Sequence, residues 1–217
     1  MKGPNIKTAP IRIGILIAAG LLFFQGGCKP LSYIAYVIFG GGQTKVKAEY
    51  TGLKDQKTAI IVSTGPGVDF EYPYARTNVA LAAAKIISKN VKGVEFVDQN
   101  EVEKFQMENL DWLSMPVKKI AQHLGVTRIL YLDLFQFTMH EQSSVHLLRG
   151  RIQGALRVYE INDKEKAAYS TETAVVWPEH SPVPMSDEAM AQLQMETIVK
   201  FADQIGQKFY DHKVPIK

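Results

Sequence analysis

Apolar positions along this chain fall into three kinds of spacing, and each predicts a different element. Continuous short runs occur at Thr58–Ser63 and Val94–Val97, and each reads as a short strand. Three-to-four spacing marks four helices. Over Ala75–Asn90 it is carried by Val79, Ala82, Ala83, Ile86 and Ile87, and Asn90 and Gly93 end the stretch. A shorter helix follows Asp98 to about Glu108, with Glu101 three residues after the capping Asp. The next opens at Ser114-Met115-Pro116, buries Val117, Ile120, Ala121 and Leu124, and stops at Gly125. The last runs from Ser186 to about Asp211 with Met190, Leu193, Thr197, Ile198, Phe201, Ile205 and Phe209 on one stripe.

Strands dominate between the third and fourth helices. Arg128–His140 is almost continuously apolar, as expected of a central strand covered on both faces, with Asp133 as the polar exception. Leu147–Ile161 alternates strictly. Gly150, Ile152, Gly154, Leu156 and Val158 share one face, while Arg149, Arg151, Gln153, Arg157 and Tyr159 share the other. That is a half-buried antiparallel strand with a wet, cationic face, whose arginines are expected to pair with acids across the sheet. Asn162-Asp163-Lys164 turns the chain, and Ala168–Trp177 returns it as a further strand. Thr64-Gly65-Pro66-Gly67 reads as a loop, continued by an aromatic loop over Val68–Tyr74. The order predicts an α/β (α+β) domain: a mixed sheet of about five strands with helices packed on it and a long C-terminal helix.

The start of the chain has another logic. Ile13–Phe24 is an uncharged apolar run of 12 residues preceded by Lys2, Lys7 and Arg12 and by no acid. As helix it is about 18 Å long, against a hydrocarbon core of about 30 Å, so it is too short to span. Extension through Leu31–Phe39 would place Lys29 and Pro30 in mid-membrane, at about 3 kcal/mol for each. The pattern is that of a secretory signal. Gln25-Gly26-Gly27-Cys28 resembles a bacterial lipobox in Gly26, Gly27 and Cys28, and departs from it at Gln25, where an aliphatic residue is usual. The resemblance implies cleavage before Cys28 and acylation of its thiol, and two acyl chains give durable anchoring where one does not. Cys28 is the only cysteine, so no intramolecular disulfide can form. An ordinary secretory signal and an uncleaved anchor remain as alternatives. The expected organisation is a signal peptide over 1–27, a lipid-anchored lead-in over 28–57 and a single domain over 58–217. Within the lead-in, Leu31–Phe39 either lies at the membrane interface or packs on the domain, and Gln43–Lys57 reads as solvated.

Cleavage also changes the charge. The chain has 25 Lys and Arg against 22 Asp and Glu, and the three cations removed with residues 1–27 leave 22 against 22. A net charge of zero gives no support for nucleic-acid binding. Candidate chemistry is sparse. The Gly65 loop lacks both phosphate-binding glycine patterns. No Gly-x-Ser-x-Gly elbow is present, and an acylated Cys28 is no nucleophile. His140, Glu141 and His146 are the one tempting cluster, but a helical zinc site needs two histidines one turn apart and these stand six residues apart in a hairpin. No catalytic residue, cofactor or metal ligand is therefore expected, with a small-ligand or metal-dependent hydrolytic site at those three residues as the alternative.

The element order and the stretch Ile120-Ala121-Gln122-His123-Leu124-Gly125-Val126-Thr127-Arg128-Ile129-Leu130, a helix ending in Leu-Gly followed at once by a strand, resemble small α/β domains of bacterial envelope proteins. Examples are the amino-terminal domain of TolB and the periplasmic domain of the curli secretion channel subunit. The lead-in Lys45-Val46-Lys47-Ala48-Glu49 is similar to that of uncharacterised bacterial lipoproteins. The resemblance implies a non-enzymatic role in protein interaction or assembly, with partners among other envelope proteins or further copies of the chain, while the charge balance above speaks against nucleic acid as a partner. It also implies a lipid-anchored, periplasm-facing location. Lys29 after the cysteine lacks the acidic residue that retains many lipoproteins at the inner membrane, which points to the outer one.

Overall fold

The computed structural model describes residues 42–161 and 166–216. The signal peptide, Cys28, Leu31–Phe39 and the turn at Asn162–Lys164 lie outside the described residues. In chain order the elements are β1 (Gln43–Val46), β2 (Lys57–Thr64), α1 (Pro66–Glu71), α2 (Ala75–Asn90), β3 (Glu95–Phe96), α3 (Gln99–Glu108), a 3-10 turn (Trp112–Ser114), α4 (Val117–Leu124), β4 (Arg128–Glu141), β5 (Ser144–Glu160), β6 (Tyr169–Trp177), β7 (Val183–Pro184), α5 (Asp187–Gly206) and β8 (His212–Pro215). The chain divides into two compact units, residues 46–212 on one hand and residues 1–45 with 213–217 on the other. β1 and β8 form a two-stranded sheet of their own.

The larger unit is built on a mixed sheet in the order β3-β2-β4-β5-β6, with β7 beside β5. β2 runs parallel to β3 and β4, and β4, β5 and β6 are successively antiparallel. One face is covered by α2 and α5. There, Ile60 and Val62 of β2, Leu130 and Leu132 of β4 and Leu156 of β5 meet Val79 and Ala83 of α2 and Phe201 and Ile205 of α5. Among the described residues, the opposite face is covered mainly over β2 and the first part of β4, where Ala59, Ile61 and Ile129 pack on Val102 and Phe105 of α3 and Ile120 of α4. Each of these core side chains, buried, contributes about 1.5–3 kcal/mol for the larger aliphatic and aromatic residues.

The limited second layer corrects the expectation for β4. Consecutive residues are buried only at Ile129 and Leu130, and from Leu130 onward only alternate residues are buried. Phe135 is the extreme case. A register shift between Leu134 and Gln136 leaves it without a partner on β5, and it is 53% exposed. β5 keeps the predicted alternation, with Leu148, Gly150, Ile152, Gly154, Leu156 and Val158 buried.

Local chemistry explains several helix ends. Asp98 accepts a hydrogen bond from the Asn100 N–H and so caps α3, one position earlier than a capping box would place it. Gly125 ends α4 at φ 62°, a conformation that costs other residues energy, and the Val126 and Gly125 N–H groups donate back to Ala121 and Gln122. Three expectations are corrected. The aromatic loop after Gly65 contains a helix, α1, because Pro66 is preset for a first turn. α5 ends at Gly206 rather than near Asp211, and Phe209 is buried beyond its end. The lead-in is not wholly solvated, since Gln43–Val46 forms β1 and Leu53 is fully buried.

Candidate functional site

His140, Glu141 and His146 all line a shallow concavity at the β4–β5 hairpin tip. Their chemistry does not converge. His140 Nε2 lies 3.4 Å from Glu71 Oε1 at the end of α1. Glu141, the next residue along the strand, turns instead to the arginine face of β5. Arg151 Nη2 donates to its Oε1 at 2.8 Å, and Arg149 Nε stands 3.3 Å from Oε2, close enough for an ion pair but outside hydrogen-bond geometry. The Gln142 N–H adds a further hydrogen bond at 2.8 Å. The Arg151 hydrogen bond, opposed by partial burial, holds the Glu141 carboxyl below its ordinary value. A carboxylate held this way is a poor proton acceptor and has little capacity left for a metal. The arginines are themselves anchored, Arg151 Nη1 to the His140 carbonyl and Arg149 Nη2 to the His180 carbonyl. Among the described residues, no three His, Cys, Asp or Glu side chains are grouped to hold a metal ion.

The expected pairing of β5 arginines with acids is found at both ends of the strand. Arg157 Nη1 lies 3.9 Å from Asp133 Oδ2, while Asp133 Oδ1 accepts from the Ser63 hydroxyl at 2.9 Å. Asp133 is thus a partly exposed, partnered acid. It shares a small depression with Tyr131, Tyr159 and Trp112, and burial pushes the Tyr131 hydroxyl upward in pKa.

A more extensive surface feature lies beside this depression. Tyr74 at the start of α2, Met107 near the end of α3, and Leu110 and Trp112 line a cleft of about 370 Å³. Tyr74 is 71% exposed, Met107 70% and Leu110 90%, so the apolar rim is open to solvent rather than folded inward. Trp112 is buried and also lines the Asp133 depression, where the exposed Leu113 joins it. Trp112 therefore connects the two hollows, with Leu110 and Leu113 on either side. The cleft wall is polar: Thr77 donates to Glu103, and the Gln106 amide nitrogen is buried without a partner among the described residues. Sequence periodicity missed this surface. The signal available was the density of large apolar residues in the non-repeating stretch Met107–Met115.

No protein-family model matches the chain, and no curated protein matches it. Solved structures similar to it include the PelC dodecamer from Paraburkholderia phytofirmans, at 10% identity and TM-score 0.44, covering 75% of this chain and 96% of that one. Lipoprotein GNA1162 from Neisseria meningitidis is similar at 12% identity and TM-score 0.42, covering 69% and 98%. The hypothetical protein CT253 from Chlamydia trachomatis is similar at 8% identity and TM-score 0.38, covering 70% and 96%. At these identities and scores the neighbours describe a general likeness of architecture and assign no family.

Proposed function

We propose that this chain is a membrane-anchored protein of the bacterial envelope that acts without catalysis, as a contact or assembly component. The observation that carries the reading is the exposed apolar strip of Tyr74, Met107, Leu110 and Leu113 around Trp112. Aromatic residues and Met are enriched at the centres of protein interfaces, and a contiguous exposed apolar patch is unfavourable in water unless something covers it. The commitment of Glu141 to two arginines, and of His140 to Glu71, supports a contact role over a hydrolytic one at the hairpin tip.

Anchoring rests on Ile13–Cys28, with the lipid on Cys28 and the domain facing the periplasm at the outer membrane. Among the described residues no helix is long and apolar enough to cross a membrane. The likeness to the TolB amino-terminal and curli channel domains adds an analogy of fold alone. Crosslinking in intact envelopes followed by affinity capture tests the contact role. Wild-type chain should bring down a defined set of partners, and the double variant Leu110→Glu, Leu113→Glu should lose them while melting normally. Retention of every partner by that variant would sink the reading of the strip.

A further inference from the structure

The two edges of the main sheet are treated differently. β3 is a two-residue edge, short enough to offer no template for pairing. β6 is the opposite case. It is 9 residues long and pairs with β5 without a register shift from Tyr169 to Trp177. Among the described residues, no other strand hydrogen-bonds to its outer edge, and the Glu172 carbonyl there accepts a long 3.4 Å contact from the neighbouring Thr171 hydroxyl. Edge strands are usually protected by Lys, Pro or a bulge, and β6 contains none of these and only one charge, Glu172.

The strand is also held rigid. Trp177 Nε1 donates to Glu196 Oε2 at 2.8 Å under the Lys200 ammonium, and the Thr173 hydroxyl donates to Gln204 on α5 at 2.8 Å. Tyr169 OH donates to Glu49 Oε2 at 2.6 Å. The ordering of this edge is therefore complete before any partner arrives, which lowers the entropic cost of pairing.

We propose that the outer edge of β6 pairs antiparallel with the same edge of a second copy, about a two-fold axis through Thr173. The strand is self-complementary in that register. Thr173 is its midpoint, so the whole length overlaps, with Tyr169 opposite Trp177 and Thr171 opposite Val175, aromatic and β-branched pairs of the kind that stabilise sheets. Glu172 faces Ala174, so the one charge never meets its copy. Centring on Glu172 would set acid against acid, and centring on Ala174 would leave Tyr169 and Ser170 unpaired. Ser170, Glu172, Ala174 and Val176 are exposed on the open face of the sheet, so among the described residues no covering element has to move. The proposal rests on the contact role above only in taking one of the partners to be the chain itself.

The test uses the full chain in detergent, with self-association measured by light scattering. Ala174→Glu sets like charges opposite each other twice and should weaken the dimer about tenfold, whereas Ala174→Lys sets Lys against Glu172 twice and should tighten it. Both variants should melt as wild type, because Ala174 is exposed. Register is tested by mixing Glu172→Cys and Ala174→Cys chains. Directly opposed residues lie about 5 Å apart, inside the disulfide window, so 172–174 links should outnumber 172–172 links in peptides identified by mass spectrometry. A chain that stays monomeric, equal dimer constants for the two charge variants, or occupation of β6 by a different protein's strand would each overturn the proposal. Partner capture that survives in such a monomer would still uphold the contact role.

Discussion

Gly150 on β5 and Thr197 on α5 meet with no room for a side chain between them. A Cβ on Gly150 would overlap the hydroxyl and methyl of Thr197, which is fully buried and donates to the Leu193 carbonyl at 2.7 Å. This contact sets how closely the C-terminal helix approaches the sheet. Gly150→Ala is expected to destabilise the fold by about 1–3 kcal/mol through overpacking. Denaturant melts check it, and adding Thr197→Ala should recover part of the loss as a coupling between the two sites. Additive effects would mean that the helix is positioned elsewhere.

Phe201 lies on the same helix with no exposed surface. Its replacement by Ala should cost about 3–5 kcal/mol, the range for a large aromatic leaving a cavity. A loss under about 1 kcal/mol in equilibrium unfolding would place the stripe outside the core.

Stability should depend on Glu141 at acid pH. Its carboxyl is held below the ordinary value of 4.5, first by the Arg151 hydrogen bond. A depressed folded value means that the contribution is fully present above pH 4.5 and fades as pH falls through the folded value. Melting temperatures of wild type and Glu141→Gln should differ most near about pH 7 and converge toward about pH 3. A gap that widens on acidification would contradict the arginine clamp.

Lipidation at Cys28 is expected from its position after Gly26-Gly27 and the apolar run, although it lies outside the described residues. Intact mass of detergent-extracted protein should show loss of residues 1–27 and an added lipid. Retention of Met1, or a soluble form beginning elsewhere, would remove the anchor from the account.

Much of the sheet was legible because its physics is local. Alternation over Leu147–Ile161 identified the buried face of β5, and the acids facing Arg149, Arg151 and Arg157 are where a half-wet strand would hold them. The stripe on α5 was equally clear, but its period ran on past the helix. Phe209 keeps helical spacing from Ile205 while the backbone has already turned, because burial selected the residue and not the hydrogen bonding. α1 was hidden by glycines on either side of Pro66, which read as loop when taken alone. The histidine cluster was legible as residues but not as an arrangement, since adjacent strand positions carry His140 and Glu141 to different partners. The apolar strip was invisible to periodicity. Met107, Leu110 and Leu113 belong to no common face of one element, and only the fold gathers them around Trp112.

Site-specific photocrosslinking in living cells tests the central claim, that this chain works through protein contacts at the Trp112 strip. A photoreactive residue placed at Leu110, 90% exposed within the strip, is compared with one at Val199, 49% exposed on α5, which covers the sheet face opposite α3. Discrete higher-mass adducts at Leu110, with none or only a faint background at Val199, are the predicted result. Equal labelling at the two positions, or no adduct at Leu110 when the protein is present at its native level, would contradict the account.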